Sequence, residues 1–213
     1  ELIGHAAIAN ARLVSNPGCY PTGFLALVAP LVRAGWLSER RAYTVNAVSG
    51  YSGGGNALID RFENERDIAF RAYGLALGHK HLPEMQHYAA LEHAPVFSPS
   101  VIPAHRGMIV DVPLSLAVGG EGTRTLREEL TRAYAESPVV SVSSEACSEL
   151  LLHTSAAPWD GMELYVFGSP DDTQVRLIAR LDNLGKGASG AAIQNLNIMC
   201  GLPETTGLRL NAA

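Results

Sequence analysis

Residues 16–23 read Asn-Pro-Gly-Cys-Tyr-Pro-Thr-Gly, a turn that places a cysteine directly before an apolar helix. Pro17 and Gly18 interrupt regular backbone just ahead of Cys19. After the turn, apolar residues recur at helical spacing and predict a helix over 22–34. The unpaired N–H groups and the positive dipole end of a helix N-terminus stabilise a thiolate. The pattern therefore predicts that Cys19 is a nucleophile prepared for attack on an acyl carbon.

The composition is that of an ordinary globular protein and excludes several classes. The 213 residues are 47% hydrophobic and 17% charged, with a net charge of −5. This charge gives no electrostatic reason to expect a nucleic acid or an anionic membrane as a partner. We expect neither a membrane span nor a signal peptide, because no apolar run or leader pattern of the required kind is visible. Three cysteines without Cys-x-x-Cys spacing favour a reducing, cytoplasmic location over a disulfide scaffold.

The hydrophobic pattern predicts strands and helices that do not alternate as regular βαβ units. Strands are predicted over 1–15, 43–49, 101–118 with a break near Gly107, 139–142, 163–168 and 174–181. Helices are predicted over 22–34, 57–65, 82–93 and 123–135, and from about Gly187 onward. This order indicates an α+β fold, with a mixed or antiparallel sheet and helices on one face.

A second reactive cluster lies in residues 78–85, which read Gly-His-Lys-His-Leu-Pro-Glu-Met. In an extended segment His79 and His81 point to the same side, and Glu84 follows close enough to orient an imidazole. A cysteine, a histidine base and a group that holds the base form a nucleophilic catalytic set. The alternative is a zinc site completed by His87, His105 or Glu84. Because no spacing of the usual zinc type is present, we expect no metal.

Two glycine-rich loops and one arginine are further candidates for ligand binding. The loop over 49–56 and Arg106 offer backbone N–H groups and a guanidinium to a phosphate or carboxylate, although Arg106 could equally form a surface salt bridge. Residues 185–190 match G-x-G-x-x-G, but too few residues follow them for a dinucleotide-binding half-fold. Their small residues permit close helix packing or contact with a cofactor. Asn183 and Lys186 could reach a ligand or form a solvated cap.

Four motifs together resemble the N-acetyl-gamma-glutamyl-phosphate reductase family, in its shorter bacterial subtype. They are residues 16–23, VNAVSGYSGGG at 45–55, HKHLPEM at 79–85 and DNLGKGASGAAIQNLNIM at 182–199. The resemblance covers essentially the whole chain. It implies an N-terminal Rossmann domain that binds NADP and is missing here. Residues 1–18 would end that domain as an incoming strand, residues 19–182 would form the catalytic and dimerisation domain, and residues 183–213 would pack back on the cofactor domain.

The resemblance also implies a reaction in arginine biosynthesis and a set of site residues. Cys19 would attack the acyl phosphate of N-acetyl-γ-glutamyl phosphate, and hydride from NADPH would reduce the thioester to the semialdehyde. His79 or His81 would be the acid/base, with Glu84 as the third catalytic group. The implied substrate-binding residues are Asn16, Ser49, Gly50 and Arg106. The implied cofactor-binding residues are Gly18, Asn183, Lys186 and Gly187. A homo-oligomer is implied as well.

Three alternatives remain open from the sequence. The first is a related acyl-phosphate reductase, such as aspartate-semialdehyde dehydrogenase or a carrier-linked glutamyl-phosphate reductase. The motifs at 45–55 and 79–85 favour the acetylglutamyl enzyme over these two. The second is a cysteine hydrolase or acyltransferase that needs no nicotinamide. The third is a substrate and oligomerisation fragment without turnover of its own.

Overall fold

A mixed β-sheet forms the centre of the molecule in the computed structural model, which describes residues 4–116 and 122–210. Within these residues the sheet has seven strands, in the order β2-β3-β1-β4-β7-β6-β5. They are β1 Thr44–Gly50, β2 Arg71–Ala72, β3 Val96–Ile102, β4 Met108–Ser115, β5 Val140–Val142, β6 Met162–Gly168 and β7 Gln174–Leu181. The pairs β1–β3 and β5–β6 are parallel and the other neighbours are antiparallel. The predicted α+β class with a mixed sheet is confirmed.

The helix that begins at Cys19 is the core of the layer packed on the sheet. Its bounds are α2 Cys19–Arg33, and the other helices are α1 His5–Ala9, α3 Asn56–Asn64, α4 Leu82–Tyr88, α5 Thr123–Ala133 and α6 Gly190–Met199. Twelve residues of α2 are buried, around its whole circumference, as expected for a helix enclosed on all sides. It packs against β4, β6 and β7 on one side, and α4 and α5 also contact it. Among the described helices, none is long and apolar enough to cross a membrane.

Residues 4–18 differ from the predicted incoming strand, and residues 1–3 lie outside the described residues. Residues 5–9 form α1, and residues 10–18 have no strand partner within the described part of the chain. The Ala-rich sequence of α1 has a high helix propensity, whereas a strand needs a neighbour to satisfy its backbone groups. The predicted break within 101–118 is confirmed as the turn at 103–107, but the strand before it is β3, which begins at Val96 and not at the predicted Val101. Residues 117 and 118 of this prediction lie outside the described residues.

Pro30 interrupts the hydrogen bonding of α2, and a tyrosine from α5 compensates. Proline has no N–H, so the carbonyl of Ala26 has no donor four residues later in the helix. The hydroxyl of Tyr134 donates to that carbonyl at 2.8 Å. Tyr134 is buried, and its bond therefore ties α5 to α2 at the point where α2 is weakest.

Replacing Tyr134 with phenylalanine should lower the free energy of unfolding by about 1–2 kcal/mol, because a buried carbonyl would lose its donor. Urea unfolding followed by circular dichroism measures the change. Tyr88→Phe is the matched control, since the Tyr88 side chain is 48% exposed and its loss should change stability by less than about 0.5 kcal/mol. Equal stability of wild type and Tyr134→Phe would show that the Ala26 carbonyl is satisfied in another way.

The strand register gathers the predicted site residues at one end of the sheet. β1 ends at Gly50, next to the end of the parallel strand β3 at Ile102. Met108, which begins β4, lies opposite Ser49 on one side and Leu181, the last residue of β7, on the other. The loops that follow β1, β3 and β7 therefore lie side by side, and these loops carry the glycine-rich turn, Arg106 and residues 182–190.

Candidate active site

Cys19 is the first residue of α2, with Gly18 as its N-cap. The expected position of the cysteine at a helix N-terminus is thus confirmed. Burial raises the pKa of the Cys19 thiol, and this outweighs the backbone N–H groups of Tyr20 and Cys19 and the charge of Lys80, all of which lower it. The N–H groups of the helix terminus thus favour the thiolate, as expected, but desolvation penalises the charged form more strongly.

His81 lies against the residue that precedes the cysteine. A Cβ placed on Gly18 would come 2.6 Å from Cδ2 and 2.7 Å from Cε1 of the His81 ring, so only glycine admits the imidazole here. Burial, followed by the charges of His79 and Lys80, lowers the pKa of His81 to about 4. Its buried Nδ1 has no hydrogen-bond partner among the described residues. His81 is therefore a neutral imidazole packed on the backbone of the nucleophile turn.

His79 is held by the backbone and by aromatic rings. Its Nδ1 accepts the N–H of His81 at 3.2 Å, which places the hydrogen of the neutral ring on Nε2. The His79 ring lies 4.7 Å from that of His81 and 6.2 Å from that of Tyr20, measured between centroids. Burial and the charge of Lys80 lower the pKa of His79. The two predicted histidines thus meet beside Tyr20, the residue that follows Cys19, in different environments.

The lowered pKa of His81 makes the stability of the fold depend on pH. In the unfolded chain a histidine titrates near pH 6.5, whereas folded His81 titrates near 4. Between these values the unfolded state binds more protons, so the free energy of unfolding should fall as pH decreases from about 6.5 to about 4. Urea titrations across this range measure the slope. His81→Gln should flatten it, whereas His93→Gln, at an exposed position, should leave it unchanged; equal slopes in both variants would contradict the assignment.

Glu84 contacts the nucleophile turn and not an imidazole. Its Oε1 and Oε2 accept the N–H of Gly18 at 3.1 Å and 3.3 Å. Burial raises the pKa of Glu84, while the bond from Gly18 lowers it. The sequence places Glu84 correctly in the site but assigns it the wrong neighbour, because the order of residues along the chain does not say which group of the Cys19 turn faces α4.

The residues predicted to bind substrate are largely engaged within the fold. Arg106 donates from Nη1 to Oδ2 of Asp182 at 2.8 Å, and its side chain is 20% exposed. The N–H of Gly50 donates to the carbonyl of Gly107 at 2.9 Å. Ser49 is buried, and its hydroxyl donates to the carbonyl of Gly50. Asn16 is exposed and accepts a hydrogen bond from Asn195 of α6 at 2.7 Å.

The residues predicted to bind cofactor link the loops around Cys19. Asn183 accepts the N–H of Gly107 at 3.0 Å and donates to Ser52 at 2.9 Å. Lys186 is buried and donates to Gln194 at 2.6 Å. A Cβ on Gly187 would lie 2.9 Å from Cβ of Cys19, so the 185–190 segment contacts the nucleophile directly. These contacts favour a packing role for the glycine motif, one of the two uses that the sequence allows.

Two tyrosines of the site are missed by the sequence analysis. The hydroxyl of Tyr73 donates to that of Tyr20 at 3.1 Å, and both rings contact His79. Tyr20 directly follows the nucleophile, which is a signal that sequence reasoning could have used. Tyr73 follows the two-residue strand β2, whose length is too short for a recognisable period.

No other centre competes with this cluster in the described ranges. They contain no group of three or more His, Cys, Asp or Glu side chains that could hold a metal ion. A cavity of about 380 Å³ lies behind α2, between residues 14–17 and α6. It is lined by apolar side chains and by polar ones that include Asn16, Arg33, Glu84, Lys186 and Gln194, and Cys19 is not part of its wall.

Two curated relatives of this chain carry the same enzyme name. The chain is 50% identical over 202 residues to the N-acetyl-gamma-glutamyl-phosphate reductase of Rhizobium etli, with 90% of this chain and 65% of the relative covered. It is 50% identical over 204 residues to the protein of the same name from Brucella ovis, with 91% and 66% covered. The chain thus spans about 65% of the length of the relatives it matches.

Solved structures and a family model agree on the fold. Aspartate semialdehyde dehydrogenase II from Vibrio cholerae is 16% identical with a TM-score of 0.64, over 94% of this chain and 66% of that one. A probable aspartate-semialdehyde dehydrogenase from Pseudomonas aeruginosa is 17% identical with a TM-score of 0.64, over 92% and 66%. The family model described as the dimerisation domain of semialdehyde dehydrogenase matches residues 19–183, which begin at Cys19. Since this match covers most of the chain, the protein belongs to the semialdehyde dehydrogenase family, as its dimerisation domain.

Proposed function

We propose that this chain is the cysteine-bearing part of an N-acetyl-γ-glutamyl-phosphate reductase that works with NADPH in cytoplasmic arginine biosynthesis. The observation that carries the proposal is the position of Cys19 at the start of α2. The residue before it, Gly18, packs against His81, and the residue after it, Tyr20, contacts His79. The name shared by relatives at 50% identity supports the substrate. Aspartyl phosphate is the rival substrate, since the structural neighbours are aspartate-semialdehyde dehydrogenases.

The chain's own residues account for the acylation half of this reaction. Sγ of Cys19 attacks the acyl carbon, the new C–S bond replaces the C–O bond to phosphate, and inorganic phosphate leaves. His79 is the better acid/base, because a group with a pKa of about 4, such as His81, is a poor proton acceptor at neutral pH. The backbone N–H of His81 orients His79 by binding its Nδ1. In this tautomer the Nε2–H of His79 is the proton donor to the departing phosphate, and the thiol proton is released to solvent.

The cofactor is held mainly by a domain outside these 213 residues, in this proposal. NADPH, when bound, would supply the hydride that reduces the thioester to the semialdehyde. Asn183 and Lys186 already bind Gly107, Ser52 and Gln194 with their polar atoms. Gly187 is buried against Cys19. These polar atoms are already used within the fold, so the described residues offer no ready binding site for a dinucleotide.

A second copy of the chain is the proposed partner of the open sheet face. Opposite α2, this face carries the ion pairs Asp111–Arg176 at 2.8 Å and Glu163–Arg180 at 2.7 Å. Half-buried Ile109 lies beside the second pair, directly opposite Arg180. A face that pairs apolar residues with both signs of charge can match itself across a two-fold axis. Sedimentation should give a dimer for the wild type and a monomer for Ile109→Lys; a wild-type monomer would contradict this part of the proposal.

Acylation of the isolated chain tests the function without any nicotinamide. The chain is mixed with N-acetyl-γ-glutamyl phosphate or with β-aspartyl phosphate, and phosphate release and the intact mass are followed. We expect one equivalent of phosphate and acylation at Cys19 with the acetylglutamyl substrate, more than about tenfold faster than with the aspartyl one. Faster reaction with aspartyl phosphate would assign the chain to the rival dehydrogenase. Continued phosphate release with free acid as product would indicate a hydrolase, and no acylation by either would indicate a non-catalytic domain.

A further inference from the structure

The turn that carries Cys19 has an unusual cap. In a capping box, a Glu or Gln at the third helical position reaches back to the N–H of the N-cap residue. In α2 the N-cap is Gly18, which has no side chain, and the third helical position is Pro21. Neither can complete the cap, so the N–H of Gly18 needs an acceptor from elsewhere in the fold.

Glu84 supplies that acceptor from another helix. Its two carboxylate oxygens lie 3.1 Å and 3.3 Å from the nitrogen of Gly18. Glu84 is in the first turn of α4, and the following residue, Met85, is fully buried in the core. The carbonyl of the same residue, Gly18, accepts the N–H and the hydroxyl of Thr22, each at 3.0 Å. The backbone immediately before Cys19 is thus fixed at both its donor and its acceptor.

We infer that Glu84 is a positioning residue, which completes the cap of α2 from α4 and so fixes the direction in which Cys19 points. The inference rests on the proposed function in that Cys19 is taken as the nucleophile. It replaces the role expected for Glu84 as the group that orients an imidazole, since His79 is oriented by the N–H of His81.

The cap has an electrostatic consequence for the thiol. The carboxylate of Glu84 raises the pKa of Cys19, whereas the charge of Lys80 lowers it. Further titratable groups around the turn are His79 and His81 in the loop before α4, Tyr20 on α2, Tyr73 after β2, and buried Lys186, which shares the cavity wall with Glu84. Glu84 therefore holds the geometry of the nucleophile at some cost to its ionisation, and these two effects can be separated by mutation.

Glu84→Gln and Glu84→Ala separate the acceptor from the charge. Glutamine keeps an oxygen for the N–H of Gly18 but carries no charge, so Cys19 should react with iodoacetamide from a lower pH, with a plateau rate within about twofold of wild type. Alanine removes both, so acylation of Cys19 by N-acetyl-γ-glutamyl phosphate should fall by roughly 10²-fold, the cost of a misplaced reacting group. Glu92→Gln is the control, because it removes an exposed carboxylate bound to Arg40. Circular dichroism confirms that each variant is folded.

The comparison of glutamine with alanine decides the inference. Acylation restored by glutamine but not by alanine supports it, together with the downward shift of the alkylation profile. Equal loss in both variants would overturn it, since the charge and not the hydrogen bond would then matter, and unchanged behaviour in both would overturn it too. If the wild type is not acylated at all, the proposed function fails by itself; the alkylation profiles, which need no substrate, still show whether Glu84 acts on Cys19.

Discussion

Replacing Cys19 with serine is expected to abolish acylation, with a fall in the rate of phosphate release of at least about 10³-fold. The fold should tolerate the change, because Cys19 is only partly buried and a hydroxyl is close in volume to a thiol. The hydroxyl is a far weaker nucleophile at neutral pH, however, and no neighbouring group in this site lowers its pKa enough to compensate. A time course of phosphate release measures the rate, and mass spectrometry identifies the modified residue.

Cys147→Ser is the matched control for this substitution. Cys147 is an exposed, free cysteine, so its replacement should leave acylation unchanged within about twofold and stability within about 0.5 kcal/mol. Retention of more than a tenth of the wild-type rate in Cys19→Ser would mean that another group performs the attack. Acylation that moves to Cys147 in that variant would show only the chemical reactivity of acyl phosphates with thiols.

The position of Cys19 at the start of a helix could be predicted because its signals are local. Pro17, Gly18 and the apolar spacing after Cys19 define a turn and a helix within a single stretch of chain. The neighbours of that turn could not be predicted in the same way. Whether Glu84 faces His79 or Gly18 depends on how α4 is rotated against α2, and this rotation is set by the burial of Met85 and by contacts between distant residues.

The contacts of the glycine-rich segments could not be predicted from the sequence for the same reason. The sequence marks residues 49–56 and 185–190 as loops or ligand cradles, since glycine permits both. In the structure Gly50 admits the turn at 104–106, and Gly187 admits the side chain of Cys19. Each is a contact between segments far apart in the chain, so spacing within one motif cannot reveal it. Residues 5–9 differ for another reason, because the strand predicted there would require a partner that the described residues do not provide.

A large loss of stability is expected from Gly185→Ala, because this glycine also lies in close contact with a distant segment of the chain. A Cβ at Gly185 would overlap the carbonyl oxygen of Trp159 and lie 2.8 Å from the carbonyl carbon. The obstacle is backbone, which cannot rotate away as a flexible side chain would. It is also anchored, because Asp160 donates its N–H to the carbonyl of Arg209 at 2.8 Å and binds the Arg209 N–H with its carboxylate at 2.9 Å. We expect the free energy of unfolding to fall by about 3 kcal/mol.

Urea unfolding of Gly185→Ala and of Gly78→Ala provides the measurement and its control. A Cβ at Gly78 would meet nothing within 4 Å and its backbone is not left-handed, so this variant should match the wild type or gain slightly from a less flexible unfolded chain. The segment that contains Gly185 also carries Gly187, which lies against Cys19. A displaced segment should therefore slow the alkylation of Cys19 as well as lower stability. If Gly185→Ala were as stable as the wild type, Trp159 and residues 185–190 would have to move apart freely, and the close packing of the glycine motif on the nucleophile could not be essential to the site.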